Sequence, residues 1–234
     1  MKRVMTALGL VIGLGFLTGT SFAAPLCATG SLSTYVSADF NCDFAGATWS
    51  NFTFGVQGFS STTPLTAAQI TVTPSFSAPQ LGWSFTGAFT SGLGDQGTYV
   101  VGYSAIANSF QFTDTTVGFV LPGVISNGDG ASLVRVIKQM NDDTGAPLYG
   151  APFPSQQFDL AGGLTPPGFK AFGPESAVTI LDNLNLVGGA VGTVSIAGFR
   201  NSFTETPVPA PTSALLLGIG LLGLALRSRR KARK

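Results

Sequence analysis

Between residues 24 and 206 apolar side chains alternate with small polar ones, a spacing of two that belongs to strands with one covered face. Around 49–56 the alternation puts Trp49, Asn51, Thr53 and Gly55 on one face and Ser50, Phe52, Phe54 and Val56 on the other. Residues 69–76 continue it, with Ile70, Val72 and Pro74 out of step with Thr71, Thr73 and Ser75. Further strands are predicted at 81–89, 98–106, 116–125, 132–140, 156–160, 177–187 and 192–203. Turn formers such as Asn127-Gly128-Asp129-Gly130 and Asn141-Asp142-Asp143-Thr144-Gly145 separate them. Residues 148–174, with five of the prolines, are expected to form a long surface connection. Glycine and proline are scattered too densely for long helices. Short strands at intervals of about ten residues predict an all-β chain, an antiparallel β-sandwich or jelly roll.

The alternation stops at both ends. Lys2 and Arg3 precede an apolar run from Val4 to Leu17, and small residues follow. This is the plan of a secretory signal peptide, and Ser21 and Ala23 fit signal peptidase cleavage between Ala23 and Ala24. The rival reading, an uncleaved anchor, meets an apolar run short of the ~20 residues a spanning helix needs.

At the other end Pro207, Pro209 and Pro211 form a stiff spacer, and Ala214 to Leu226 carries no polar side chain. Arg227, Arg229, Arg230, Lys231, Arg233 and Lys234 then make a basic stop that favours the cytoplasmic side. As a helix the apolar piece would be ~20 Å long, against a bilayer core of ~30 Å. It reaches across only with help from its flanks. The expected organisation is a signal helix at 1–23, a β-sandwich domain at 24–206 and a sorting tail with a hydrophobic helix at 207–234. The precursor would be tethered to the inner membrane with its middle outside. A plain C-terminal anchor is the alternative.

Val208-Pro209-Ala210-Pro211, then Leu-Leu-Leu-Gly-Ile-Gly-Leu-Leu-Gly-Leu, then the basic run, resemble the PEP-CTERM sorting signal of Gram-negative bacteria. The family's usual glutamate between two prolines is Ala210 here. The resemblance implies recognition by an exosortase in the inner membrane, cleavage near the prolines, and release or transfer outward in cells that make exopolysaccharide. Leu32-Ser33-Thr34-Tyr35, Asn41-Cys42-Asp43-Phe44-Ala45-Gly46 and Trp49-Ser50-Asn51-Phe52-Thr53-Phe54 also resemble a group of PEP-CTERM proteins of unknown role. That likeness implies no activity and brings no catalytic residues.

Charge narrows the partners. Residues 24–206 hold all 11 acidic residues but only four of the 12 basic ones (Arg135, Lys138, Lys170 and Arg200), a net charge of −7. Such a surface repels nucleic acid and anionic lipid. The two cysteines, Cys27 and Cys42, are an even count in a chain expected outside the cytoplasm, which predicts a disulfide. Of 19 phenylalanines all but Phe16 and Phe22 fall in the middle, enough aromatic surface to hold two sheets together.

With no histidine, neither a Ser-His-Asp nor a Cys-His arrangement is available, and zinc sites almost always need four ligands. No nucleophile elbow or phosphate loop occurs. No cofactor is expected. Asp142 and Asp143 are the candidates for a carboxylate glycoside hydrolase, and Trp49, Trp83, Tyr99, Tyr103 and Tyr149 for sugar stacking; turn solvation and core packing are the readings set against these. The function expected is an exported, non-enzymatic cell-surface or matrix protein. Its partners would be the secretion machinery, signal peptidase, an exosortase and, in the alternative reading, exopolysaccharide.

Overall fold

The computed structural model describes residues 24–126, 132–159 and 162–208. The predicted signal segment, the 127–130 turn and the tail from Pro209 onward lie outside the described residues, and with them Ala23, Ala210, Pro211 and the basic stop.

Thirteen strands, one turn of α-helix and a 3-10 turn at Ala67–Gln69 appear in the described chain. They are β1 (Gly30–Ser31), α1 (Leu32–Tyr35), β2 (Asn41–Phe44), β3 (Ala47–Gln57), β4 (Thr71–Ser77), β5 (Gln80–Ser91), β6 (Gln96–Ala107) and β7 (Phe110–Ser126). Then follow β8 (Leu133–Asn141), β9 (Ser155–Asp159), β10 (Gly163–Leu164), β11 (Gly168–Glu175), β12 (Ala177–Val187) and β13 (Thr193–Pro207). They build a six-stranded sheet in the order β1-β4-β5-β13-β7-β11 and a seven-stranded sheet in the order β10-β9-β8-β12-β6-β3-β2. Every ladder is antiparallel, the arrangement expected of sheets with one wet face. The two sheets face each other as a sandwich. Among the described residues no helix is long and apolar enough to cross a membrane.

Aromatic rings fill the space between the sheets. Trp49 of β3 and Trp83 of β5 meet edge to face at 5.2 Å, and Tyr35, Phe52 and Phe203 close around them. Edge-on and tilted contacts suit the ring quadrupole better than a face-to-face sandwich. Helix α1 is too short to be stable alone. It holds because Leu32 and Tyr35 are buried and the Leu32 N–H bonds the Ile70 carbonyl at 2.8 Å.

Two sequence expectations need correction. The predicted alternation through β3 does not run unbroken: Trp49 and Phe52, assigned to opposite faces, both point inward. A register shift between Ser50 and Thr53 inserts an extra residue, and Asn51 takes a φ of 56° to accommodate it. Asparagine tolerates that left-handed conformation better than most residues, and the bulge flips the strand's phase. Secondly, the proline-rich stretch expected as a loop contains, besides β9 at the predicted 156–160 strand, the unforeseen β10 and β11. β11 lies at the edge of its sheet and slips register between Ala171 and Glu175, around Pro174. An edge strand has an unpaired side where a missing N–H costs nothing.

Gly198 has a φ of 153° at a bulge in β13, and a Cβ there would lie 2.1 Å from the Phe85 carbonyl oxygen. Any side chain would push β13 off β5.

Candidate functional site

The chemically unusual part of the molecule is inside it. On β8 the inward positions are Val134, Val136, Lys138 and Met140; on β12 they are Val178, Ile180, Asp182, Leu184 and Leu186. Lys138 and Asp182 therefore occupy core positions, and they are paired directly across the two strands. From the opposite sheet, Asn201 and Phe203 of β13 and Thr115 of β7 point at them. All five are buried.

The Lys138 ammonium donates to Thr115 Oγ1 and lies 3.8 Å from the centroid of the Phe203 ring. A ring face is a weak substitute for water around a cation. Asn201 Nδ2 donates to Tyr103 Oη at 2.8 Å and to Asp182 Oδ2. Asp182 Oδ1 and Asn201 Oδ1 have no hydrogen-bond partner. Tyr149 closes one side, donating to the Lys138 carbonyl at 3.3 Å.

Burial dominates the electrostatics. Removal from water pulls the Lys138 pKa down to about 7, although Asp182 and Asp114 act to raise it. Burial likewise pushes Asp182 up to about 6 against the opposing pull of Lys138 and its hydrogen bonds. Tyr103 is raised well above its ordinary value, first by burial and then by Asp182. The charged forms gain less from each other than they lose from water, so burial draws the proton affinities of amine and carboxyl towards each other.

A second carboxylate has the opposite character. Asp95, in the turn between β5 and β6, accepts hydrogen bonds from the Ser60 N–H and hydroxyl at 2.9 Å and from the Thr62 N–H at 2.7 Å. The Ser60 backbone bond is the largest of the influences that hold its pKa far below the usual carboxylate range. It clamps the 60–62 segment.

Cys27 and Cys42 are joined by a disulfide with an S–S distance of 2.06 Å. The bridge ties the first described residues to β2, beside backbone bonds from the Cys27 N–H to the Asp43 carbonyl and from the Asp43 N–H to the Pro25 carbonyl. The Asp142 carboxylate accepts from the Thr144 N–H and hydroxyl and the Ala146 N–H, which closes its own turn. Among the described residues no three His, Cys, Asp or Glu side chains come together as a metal site.

Trp49, Trp83, Tyr99, Tyr103 and Tyr149, the sugar-stacking candidates, are all buried and present no platform. A surface groove of about 310 Å³ lies on the outer face of the six-stranded sheet. Phe76, Gln80, Thr116 and Arg200 line it, and Phe76 is half exposed. The sequence reading missed the Lys138–Asp182–Asn201 centre, although its signal was present: each residue sits in phase with buried apolar neighbours.

No curated protein matches the chain. Among solved structures it is similar to TmCBM61 in complex with β-1,4-galactotriose, at 11% identity and a TM-score of 0.30, over 63% of this chain and 86% of that one. It is also similar to the enzymatically active domain of tailspike protein 4 of bacteriophage CBA120, at 13% identity and a TM-score of 0.25, over 64% of this chain and 19% of that one. A family two carbohydrate esterase from Cellvibrio japonicus aligns at 13% identity and a TM-score of 0.19, over 69% of this chain and 36% of that one. Residues 207–231 match the PEP-CTERM protein-sorting motif, so this is an exported protein that carries a PEP-CTERM domain.

Proposed function

We propose that this chain is a non-enzymatic β-sandwich sorted through the inner membrane by its C-terminal signal, processed by an exosortase, and displayed on or shed from the cell surface. It serves in the envelope or the extracellular matrix. The observation that carries this reading is the position of the motif: it begins at Pro207, the last residue of β13, so address and folded payload abut. The disulfide suits an oxidising compartment, and an acidic domain stays soluble outside the cell.

Intact mass of the chain from secreted, outer and inner-membrane fractions tests it. The expected result is a secreted or surface form beginning at Ala24 and ending near the prolines. Full-length chain ending at Lys234, found only in the inner membrane, overturns sorting and release.

A second reading, binding of exopolysaccharide, is favoured by the groove at Phe76 and Arg200. It pairs an exposed ring with hydroxyl, amide and guanidinium donors, the mixture that sugars need. Retention on purified polysaccharide that survives the double variant Phe76→Ala, Arg200→Ala excludes that groove.

A further inference from the structure

The buried centre brings together an amine, a carboxamide and a carboxyl group. We propose that Lys138 and Asn201 become joined by an isopeptide bond, Nζ to Cγ, formed within the folded chain with Asp182 as the proton carrier and ammonia as the leaving group.

The placement of the three groups supports this. Lys138 and Asp182 are cross-strand partners on one sheet, and Asn201 comes from the other, with its Nδ2 already bonded to Asp182 Oδ2. The Lys138 amine lies over the Phe203 ring, and Phe203 is two residues from Asn201 on the same inward face of β13. Among the described residues Thr115 is the lysine's single hydrogen-bond partner, against three donor positions on an ammonium. Asn201 Oδ1 and Asp182 Oδ1 are unpartnered as well. Buried polar groups are normally satisfied, and two unpartnered oxygens beside an under-used amine mark a site with a further use.

The protonation states suit the chemistry. An amine attacks a carbonyl carbon only when neutral, and burial brings Lys138 to that form near pH 7. Burial also raises Asp182 so that it takes and gives a proton in the same range. Starting from the ion pair, Lys138 passes one proton to Asp182. The neutral amine attacks Asn201 Cγ, and the negative charge develops on Oδ1. Asp182 delivers its proton to Nδ2, the Cγ–Nδ2 bond breaks, and ammonia leaves as the carbonyl re-forms. Asp182 then recovers a proton from the new Nζ and ends protonated. No oxidant, metal or cofactor enters the balance. The product ties β8 of one sheet to β13 of the other and removes an ammonium from the core.

Mass spectrometry of the purified chain, reduced and denatured, decides the matter. The expected result is a mass lower than the sequence by one ammonia, with trypsin unable to cut after Lys138. The digest then holds a branched peptide joining 136–170 to the segment that begins at residue 201. Cleavage after Lys138 with Asn201 intact overturns the proposal. Ammonia loss without the branch, the mark of asparagine cyclisation, overturns it too. Loss of water with Lys138 joined to Asp182 overturns the choice of Asn201. The variant Asp182→Asn is expected to keep the ammonia and cut normally while retaining the Cys27–Cys42 bridge; a branch formed at the wild-type level overturns the role given to Asp182. Should that variant fail to fold, the wild-type digest decides alone.

Discussion

Asp182 stands directly opposite Lys138 across β12 and β8, and both side chains are enclosed between the two sheets. An acid kept from water folds most favourably when it is neutral. The Asp182 pKa is raised in the folded state, so its contribution is fully present below the unfolded value near 4 and lost as pH rises through about 6. Chemical denaturation between pH 4 and 6 is expected to show stability falling by roughly 3 kcal/mol from this group. The slope disappears in Asp182→Asn. A flat profile in the wild type contradicts the burial assigned here.

Removal of the Cys27–Cys42 bridge is expected to destabilise the domain by ~3 kcal/mol, because a closed loop of this length restrains the unfolded chain. The bridge spans 15 residues of sequence. Thermal melting of Cys27→Ser, Cys42→Ser against the oxidised chain measures it. A wild-type melting temperature unchanged by reductant contradicts the prediction.

Trp83 is fully buried and touches Tyr35, Phe44, Trp49 and Phe52. Trp83→Ala leaves a cavity that these rings cannot collapse to fill. The expected cost is about 3–5 kcal/mol, read from urea titration followed by Trp49 fluorescence. A smaller loss than Phe76→Ala, a half-exposed ring, contradicts the core assigned here.

Asp95 fixes the segment that follows Gly58, and its carboxylate is needed in ionised form. A depressed pKa gives a contribution present above the unfolded value and lost as pH falls. Asp95→Ala is expected to raise proteolysis within residues 58–66 by roughly tenfold at neutral pH, as local opening becomes easier while the rest stays folded. Cleavage at an unchanged rate removes the clamp.

Most of the fold could be read from alternation, because a strand between a core and water shows its period in the side chains. β12 was predicted to the residue, 177–187, since nothing in it interrupts the rhythm. β3 was misphased because a single residue, Asn51, shifts the register, and a bulge leaves almost no mark in composition. β11 was hidden by Pro166, Pro167 and Pro174, which argue against a central strand but not against an edge. Lys138, Asp182 and Asn201 were legible as polar residues on apolar phases. A lysine is so rarely interior that its position alone does not announce burial. Their meeting depended on strands 44 residues apart in sequence (Lys138 to Asp182) being neighbours, and pairing order is not written in local pattern.

β13 lies between β5 and β7, inside the six-stranded sheet, and hands over to the sorting motif at Pro207. Until it slots in, the two strands flanking it lack their shared neighbour, so this sheet of the sandwich stays unfinished until the segment just ahead of the motif has been made. The last strand to be supplied to that sheet is thus the one that abuts the sorting motif. Any enzyme that cuts there must work hard against a folded wall, or strike in the interval before the last strand docks.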